Sequence, residues 1–267
     1  MMYSDFHIHT NFSSDSETAP ERQIVQSIAL GMKTICITDH QDFDFPMGDL
    51  DFLFDSEEYF RVMPRLREKY AGQIDMRIGV ELGLQQHLGH RLEDYVNQYP
   101  FDFVIGSTHI SRNIDPYYPV FFDGISVEKA YRIYFEEELS HLKQYDCYDV
   151  VGHIDFVVRY GDGGSQIYRY EQYRDVLDEI LRTAVEKGKG LECNTGGLRD
   201  GWGHSNPTKK ILKRYREMGG EILTIGSDAH EPEYLGYGFD EIGEFLKSCG
   251  FRYYTTFKKR KPEFHLL

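Results

Sequence analysis

The sequence predicts an α/β fold, a single barrel of parallel strands, from three observations. Short apolar runs alternate with longer segments of helical periodicity, which is the pattern of repeated strand–helix units. Seven such units can be counted along the 267 residues, a length that single α/β barrels commonly have. Histidines and carboxylates follow most of the predicted strands, where barrel enzymes place their functional groups. We therefore expect residues 1–267 to form one barrel domain.

The predicted strands are short, and most are rich in β-branched or aromatic residues. They cover residues 3–8, 34–38, 76–81, 103–107, 149–153, 190–194 and 222–227. A further apolar stretch, 251–257, is expected to form an edge strand or a closing strand.

Helix boundaries are marked by proline, glycine and serine. Pro20 is predicted as the first residue of a helix that stops before Gly31. Ser126 is predicted to cap the long helix that follows it. Pro64 lies inside the helical segment 56–70, so we expect that helix to be kinked or split.

Composition excludes several classes of protein. The net charge of -14 argues against general binding to nucleic acid or to anionic membranes, because both need a basic surface. No apolar run approaches the roughly 20 residues that span a bilayer, and the N-terminus lacks the features of a secretion signal. We therefore predict a cytoplasmic protein. The four cysteines form no CxxC pair, so we predict reduced thiols.

The positions of the histidines predict a metal centre. Six of the eleven histidines come at or just after the end of a predicted strand, namely His7, His9, His40, His109, His153 and His230. His7 and His9 are two residues apart on one strand, so their side chains point to the same face and can bind one ion. Imidazole combined with carboxylate and without cysteine fits Zn, Mn or Fe.

A series of short motifs resembles a known family. In chain order they are DFHIHTNFSSD (5–15), TDH (38–40), GVE (79–81), GSTH (106–109), GHID (152–155) and GSDAH (226–230). Together they resemble the polymerase and histidinol phosphatase (PHP) family, and NTGGLR (194–199) resembles its histidinol-phosphate phosphatase branch. The resemblance spans residues 5–230, nearly the whole chain.

The resemblance implies a distorted seven-stranded, TIM-like (β/α) barrel with two or three divalent metal ions at the carboxyl ends of the strands. It assigns the first ion to His7, His9, Glu81 and Asp228. It assigns the second to Glu81, His109 and His153, so that Glu81 bridges the two. It assigns the third to Asp15, His40 and His230. Glu81, Asp228 and His230 are the predicted catalytic residues.

Four further residues are predicted to support this site. Asp5 and Asp39 lie beside ligands, where a carboxylate can orient an imidazole; capping of a loop backbone is the alternative for both. Arg159 and Arg199 follow strand ends and can pair with phosphate oxygens in a bidentate manner. A surface salt bridge is the alternative for each arginine.

The resemblance implies hydrolysis of a phosphate monoester by attack of a metal-bound hydroxide. L-Histidinol phosphate, an intermediate of histidine biosynthesis, is the expected small-molecule substrate. Another PHP phosphoesterase, acting on phosphotyrosine, a nucleotide or a sugar phosphate, is the first alternative. A metal-dependent amidohydrolase and a non-catalytic metal-binding domain remain as further alternatives. The sequence does not indicate an oligomeric state.

Overall fold

A curled parallel sheet forms the centre of the fold in this computed structural model, which describes residues 4–46 and 52–267. Its strands are β1 (Thr34–Ile37), β2 (His40–Gln41), β3 (Asp75–Gly83), β4 (Phe103–Ser107), β5 (Val150–Val151), β6 (Gly190–Asn194) and β7 (Leu223–Gly226). Hydrogen bonds connect them in the order β1-β3-β4-β5-β6-β7, and β2 pairs with the carboxyl half of β3. Helices cover the outside of the sheet, as expected for a distorted (β/α) barrel.

Residues 5–8 close the ring between β1 and β7. Asp5 forms an isolated parallel bridge with Ile35, and Ile8 forms one with Ala229. The predicted strand 3–8 is thus reduced to single bridges, and Tyr3 lies outside the described residues. The backbone hydrogen bonds of this segment are interrupted by a side chain, because the amide of Ile8 donates to Thr38 Oγ1 at 3.1 Å.

The helices are bounded much as the sequence predicts. They are α1 (Pro20–Ala29), α2 (Ser56–Lys69), α3 (Arg91–Gln98), α4 (Val127–Gln144), α5 (Gly164–Ile167), α6 (Arg174–Glu186), α7 (Gly196–Arg199), α8 (Lys209–Glu217) and α9 (Phe239–Ser248). Ser126 Oγ caps α4 by accepting a hydrogen bond from the amide of Lys129 at 3.3 Å. Of the two alternatives expected at Pro64, a kink or a split, the split is wrong. Helix α2 continues through this residue, and the buried side chains of Tyr59 and Met63 hold it to the core.

The stretch 251–257 forms neither an edge strand nor a closing strand of the barrel, which corrects the prediction. Instead, β8 (Tyr253–Lys258) pairs with β9 (Lys261–Leu266) in a separate antiparallel hairpin. Phe257 of this hairpin packs on Phe103, with ring centroids 5.0 Å apart, in a buried cluster that also contains Phe6. The segment therefore contributes its side chains to the barrel core and its backbone to a second sheet.

The cysteines are all buried and unpaired, in agreement with the predicted reduced thiols. Burial raises the pKa of the Cys36 thiol well above its ordinary value, so this side chain is a poor nucleophile at neutral pH. In the ranges 4–46 and 52–267, no helix combines the length and the apolar character needed to cross a membrane.

Glu138 on α4 should reduce stability at neutral pH. Its side chain is buried, and neither carboxylate oxygen has a hydrogen-bond partner among the described residues. Burial, together with the charge of Asp155, raises its pKa well above the ordinary value. The native state therefore holds this proton at pH values where the unfolded state has released it. The unfolding free energy consequently falls as pH rises above the unfolded pKa of about 4.3.

We expect Glu138→Met to raise the unfolding free energy by about 1–3 kcal/mol near neutral pH, because it removes the unpartnered carboxyl group. The gain should shrink towards about pH 4, where the carboxyl is protonated in both states. Urea unfolding at several pH values measures both effects. Glu136→Met, an exposed position on the same helix, is the matched control and should change stability little. A Glu138 variant with the same unfolding free energy as wild type at every pH would contradict the expectation.

Candidate metal centre

One cleft of about 370 Å³ lies at the carboxyl ends of the barrel strands, over a cluster of histidines and carboxylates. The clustered residues come from the closing segment, the loop before α1, β2, β3 and the turns after β4, β5 and β7. They are His7, His9, Asp15, His40, Glu81, His109, His153, Asp228 and His230. All nine predicted metal ligands are therefore brought together, although more than two hundred residues separate the first from the last.

The first group surrounds Glu81 Oε2. This oxygen lies 3.1 Å from His7 Nε2 and 3.5 Å from His9 Nε2. Asp228 Oδ1 lies 3.6 Å from His7 Nε2 and 3.3 Å from His9 Nε2. Four potential ligand atoms thus face one another, in the combination predicted for the first ion.

The second group surrounds the other oxygen of the same carboxylate. Glu81 Oε1 lies 3.1 Å from His109 Nε2 and 2.8 Å from His153 Nε2. It also accepts a hydrogen bond from Ser107 Oγ at 2.7 Å, which fixes the orientation of the carboxylate. Glu81 therefore faces both groups of histidines, as a bridging ligand must.

The third group is more open to solvent. Asp15 Oδ2 lies 3.1 Å from His230 Nε2 and 3.5 Å from His40 Nε2. The ring of His9 stacks between His40 and His230, with centroid separations of 4.3 and 4.2 Å. The loop residue Asp15 therefore reaches the cluster.

Several buried ligand atoms have no hydrogen-bond partner among the described residues. His7 Nε2, His9 Nε2, His40 Nδ1 and Glu81 Oε2 are all of this kind. Leaving buried polar atoms unsatisfied costs about 1–3 kcal/mol each, and such atoms are rare unless a ligand or ion satisfies them. Because they converge from different elements, the residues present fit a bound divalent cation.

The electrostatics of the cluster also favour cations. Burial alone would raise the pKa of Glu81, but the charges of His7, His109 and His40 together lower it well below its usual range. Burial likewise opposes ionisation of Asp228, whose pKa is lowered in the same way by neighbouring positive charges, His7 first. The carboxylates are thus held ionised, as metal ligands must be.

The histidines separate into two electrostatic classes. Burial and the neighbouring His230 and His40 lower the pKa of His9 to about 3, so this imidazole is neutral. Burial also acts against protonation of His109, but Asp42 and Glu81 outweigh it and raise its pKa to about 10. The negative charges of Asp42 and Glu81 therefore favour a positive charge at His109, either a proton on its ring or a metal ion bound to it.

Two residues that sequence reasoning missed hold the histidines in place. Glu192 Oε1 contacts His7 Nδ1 at 2.5 Å, and Glu192 Oε2 accepts a hydrogen bond from the amide of His153 at 3.0 Å. Asp42 Oδ1 contacts His109 Nδ1 at 2.7 Å. A carboxylate on the far nitrogen of an imidazole fixes the tautomer that can bind a metal. The available signal was an acidic residue inside the apolar strand 190–194.

Gly226 at the end of β7 is required by this arrangement. A Cβ at this position would clash with Glu192 Oε1 and with the Cβ of His7. Two residues later, Asp228 has a φ of 56°, a left-handed conformation that costs energy for a residue other than glycine and often marks a functional site. The position of the Asp228 carboxylate therefore depends on the close contact of Gly226 with Glu192 and His7 and on the strained backbone of Asp228 itself.

Asp5 and Asp39 act on the backbone and on hydroxyl groups. Asp5 Oδ1 accepts hydrogen bonds from the amides of Ser227 (2.9 Å) and His7 (3.3 Å). Asp39 Oδ1 accepts from the amide of Thr10 and from Ser13 Oγ, and Ser13 Oγ contacts His9 Nδ1 at 3.1 Å. Within the described residues neither carboxylate bonds an imidazole directly, which corresponds to the capping alternative, although Asp39 reaches His9 through Ser13.

Arg159 lines the cleft, and its side chain is only 10% exposed. Its guanidinium lies over the rings of Phe156 (4.9 Å) and Trp202 (5.2 Å). Its Nη2 lies 3.5 Å from Asp228 Oδ2, and its Nε has no hydrogen-bond partner among the described residues. Arg159 is thus a largely buried cation beside the cluster, and its ion pair with Asp228 lies inside the cleft rather than at the surface.

Arg199 has a different environment. Its Nη1 donates to the carbonyl oxygen of Asp228 at 3.0 Å, and its Nε donates to Asp200 Oδ1 at 2.8 Å. It is not among the residues that line the cleft. In this conformation Arg199 supports the backbone of Asp228 and pairs with Asp200, the ion-pair alternative given for it above.

Comparison with known proteins identifies the family. The model of the PHP domain family matches residues 5–196, which is more than half of the chain. The chain belongs to the PHP domain family. The match includes the predicted ligand positions from His7 to His153, whereas Asp228 and His230 lie beyond it.

Individual relatives of this PHP protein agree with the family match. The histidinol-phosphatase of Lactococcus lactis is 32% identical over 263 residues, which cover 96% of this chain and 95% of that protein. The histidinol-phosphatase of Bacillus subtilis is 25% identical and covers 93% of this chain and 100% of that protein.

Solved structures agree as well. One is a crystal structure of histidinol phosphate phosphatase from Lactococcus lactis in complex with zinc, L-histidinol and phosphate. It superimposes with a TM-score of 0.90 at 31% identity, and the match covers 97% of this chain and 98% of that one. A putative histidinol phosphatase from Listeria monocytogenes, at 21% identity and a TM-score of 0.74, supports the fold alone.

Proposed function

We propose that this protein is a metal-dependent phosphomonoesterase that hydrolyses L-histidinol phosphate to L-histidinol and phosphate. The observation that carries the proposal is the likeness, at a TM-score of 0.90 over 97% of the chain, to a phosphatase crystallised with zinc, L-histidinol and phosphate. The converging unpartnered ligand atoms give independent support, because they fit cations of the kind that phosphate hydrolysis uses.

The proposed metal ligands follow the three groups of side chains. His7, His9, Glu81 and Asp228 would hold one ion, and Glu81, His109 and His153 a second. Asp15, His40 and His230 would hold a third. The nitrogen and oxygen donor set suits zinc, manganese or iron. When bound, the ions would act as Lewis acids that activate water and neutralise the phosphoryl oxygens.

The protein's own residues would position the phosphate. Glu81, Asp228 and His230 all line the cleft, so in this proposal they border the reacting phosphoryl group and have a catalytic role. Arg159 would donate hydrogen bonds to the phosphoryl oxygens, since a buried, ring-stacked guanidinium is already oriented for them. Arg199 would keep Asp228 in place through its backbone carbonyl, and it would need to leave Asp200 to contact phosphate itself.

We expect Arg159→Ala to lower kcat/KM for the phosphate substrate by roughly 10- to 100-fold, the effect of losing a charge-assisted hydrogen bond. Arg159→Lys should recover only part of the loss, because an ammonium group cannot reproduce the planar fork. Steady-state kinetics measures both. Arg174→Ala, at a side chain that is 63% exposed, is the control. Equal kcat/KM in wild type and Arg159→Ala would exclude the proposed phosphate contact.

A substrate panel tests the proposal as a whole. Protein loaded with zinc, manganese or iron is assayed with histidinol phosphate, phosphotyrosine, a nucleotide, a sugar phosphate and an amide. We expect a clear preference for histidinol phosphate. Comparable rates on all the phosphates would instead favour a general PHP phosphoesterase, and turnover of the amide alone would favour an amidohydrolase. Metal uptake without turnover of any substrate would favour a non-catalytic metal-binding domain.

Two further expectations from the sequence remain predictions. One is that residues 1–267 form a single domain, and the other is that the protein is cytoplasmic, where a biosynthetic enzyme of this kind would act.

A further inference from the structure

One carboxylate in the cleft is not part of the histidine cluster. The other acidic residues that line the cleft each lie within 4 Å of an imidazole nitrogen, namely Asp15, Asp42, Glu81 and Asp228. Asp115 also lines the cleft, yet within the described part of the chain it forms no ion pair. Burial raises the pKa of this carboxyl, and a cationic ligand beside it would favour the ionised form.

The Asp115 carboxylate is held in a fixed orientation. Its Oδ1 accepts a hydrogen bond from the amide of Tyr117 at 2.8 Å, and its backbone oxygen accepts one from the amide of Tyr118 at 3.0 Å. Just before it, Ser111 and Ile114 close a tight turn through two mutual backbone hydrogen bonds of 3.0 Å. Oδ2 is left without a hydrogen-bond partner among the described residues. The loop therefore presents one carboxylate oxygen in a defined position.

Aromatic rings accompany this carboxylate. Tyr117, Tyr118 and Tyr160 line the same cleft, and the ring of Tyr117 meets those of Tyr118 and Tyr160 edge-on at 5.3 and 6.0 Å. Aromatic faces attract organic cations through their quadrupole. A carboxylate combined with tyrosine rings is thus a favourable environment for a positively charged organic group.

Asp115 lies close enough to the phosphate-binding groups for one small molecule to reach both. Arg159, Asp115 and Asp228 all line the same cleft of about 370 Å³, together with Tyr160. A substrate with a phosphate at one end and a cation at the other can contact Arg159 and Asp115 together.

We propose that Asp115 binds the primary ammonium group of the substrate and that the neighbouring tyrosine rings form the wall around it. This inference rests on the proposed function, because histidinol phosphate carries such an ammonium a few bonds from its phosphate. Asp115 then determines specificity, since it discriminates aminoalkyl phosphates from phosphates that lack the amine. A site built to pair a charged group rejects analogues without it strongly.

The test compares wild type with Asp115→Asn on three substrates: histidinol phosphate, its deamino analogue and phenyl phosphate. We expect the variant to lose roughly 10- to 100-fold in kcat/KM on histidinol phosphate, the effect of one charge-assisted hydrogen bond. Its activity on the other two substrates should change little, which also shows that it is folded. Asp123→Asn, an exposed aspartate outside the cleft lining, is the matched control and should behave as wild type.

Binding of the product gives a second measurement. Calorimetry should show that Asp115→Asn weakens binding of L-histidinol by a similar factor, without weakening binding of inorganic phosphate. A variant that loses the same factor on all three substrates, or that binds L-histidinol as wild type does, would overturn the role of Asp115 while leaving the proposed function intact. A wild-type protein that does not hydrolyse histidinol phosphate would overturn both.

Discussion

Glu81→Gln is expected to reduce kcat/KM by roughly 1,000-fold or more, because several kcal/mol of metal-dependent stabilisation would be lost. Both oxygens of Glu81 are engaged: Oε2 faces His7 and His9, and Oε1 faces His109 and His153. A neutral amide has one acceptor oxygen, so it cannot face both groups as a bridging carboxylate does. The amount of bound metal, measured by elemental analysis after purification, should fall together with the activity.

The size of this effect distinguishes a bridging ligand from a simple buried acid. Glu244→Gln makes the same chemical change at an 83% exposed side chain and should leave both metal content and kinetics unaltered. Circular dichroism of the Glu81 variant checks that the barrel is formed. A folded variant that retains wild-type metal content and wild-type turnover would refute the role assigned to Glu81.

Removal of the metal is expected to have the second large effect. Dialysis against a chelator should abolish phosphate hydrolysis, and added zinc or manganese should restore it. The stripped protein should also unfold more easily, since an ion that binds the native state alone at 1,000 times its Kd contributes about 4 kcal/mol of stability. Activity assays and thermal unfolding, performed on the same samples, measure the two losses together.

A chelator already saturated with zinc provides the control, because it cannot remove metal from the protein. Stripping that leaves the rate unchanged, once elemental analysis shows that the ions are gone, would exclude metal-dependent hydrolysis. Stripping that changes the rate without changing the unfolding temperature would instead mean that the ions bind native and unfolded chains alike.

The sequence predicted the strand positions well, because a short apolar run flanked by turns is a local signal. It failed where tertiary packing overrides local preference. Helix α2 passes through Pro64 since Tyr59 and Met63 are buried against the core. The stretch 251–257 pairs with β9 in a separate hairpin, and the partner of an apolar run is not a local property of that run.

The same distinction applies to the site. The histidines could be predicted because each follows a strand, and strand ends converge in a barrel. The acidic residue in the apolar strand 190–194 is a signal for Glu192, but the partners of Glu192 and Asp42 could not be predicted, since His7 and His109 are distant from them in the sequence. The environment of Arg199 also depends on the turn that brings Asp228 to it. This contact could not be predicted from the amino-acid composition around Arg199.

The closing segment has a consequence for the order in which this protein matures. His7 precedes Asp228 by more than two hundred residues, although the amide of Asp228 donates to the carbonyl oxygen of His7 at 2.9 Å. A nascent chain on the ribosome therefore exposes His7 and His9 long before their carboxylate partner exists. If the proposed metal centre forms, its first ion can be held by all four ligands only after the turn that follows β7 has been synthesised.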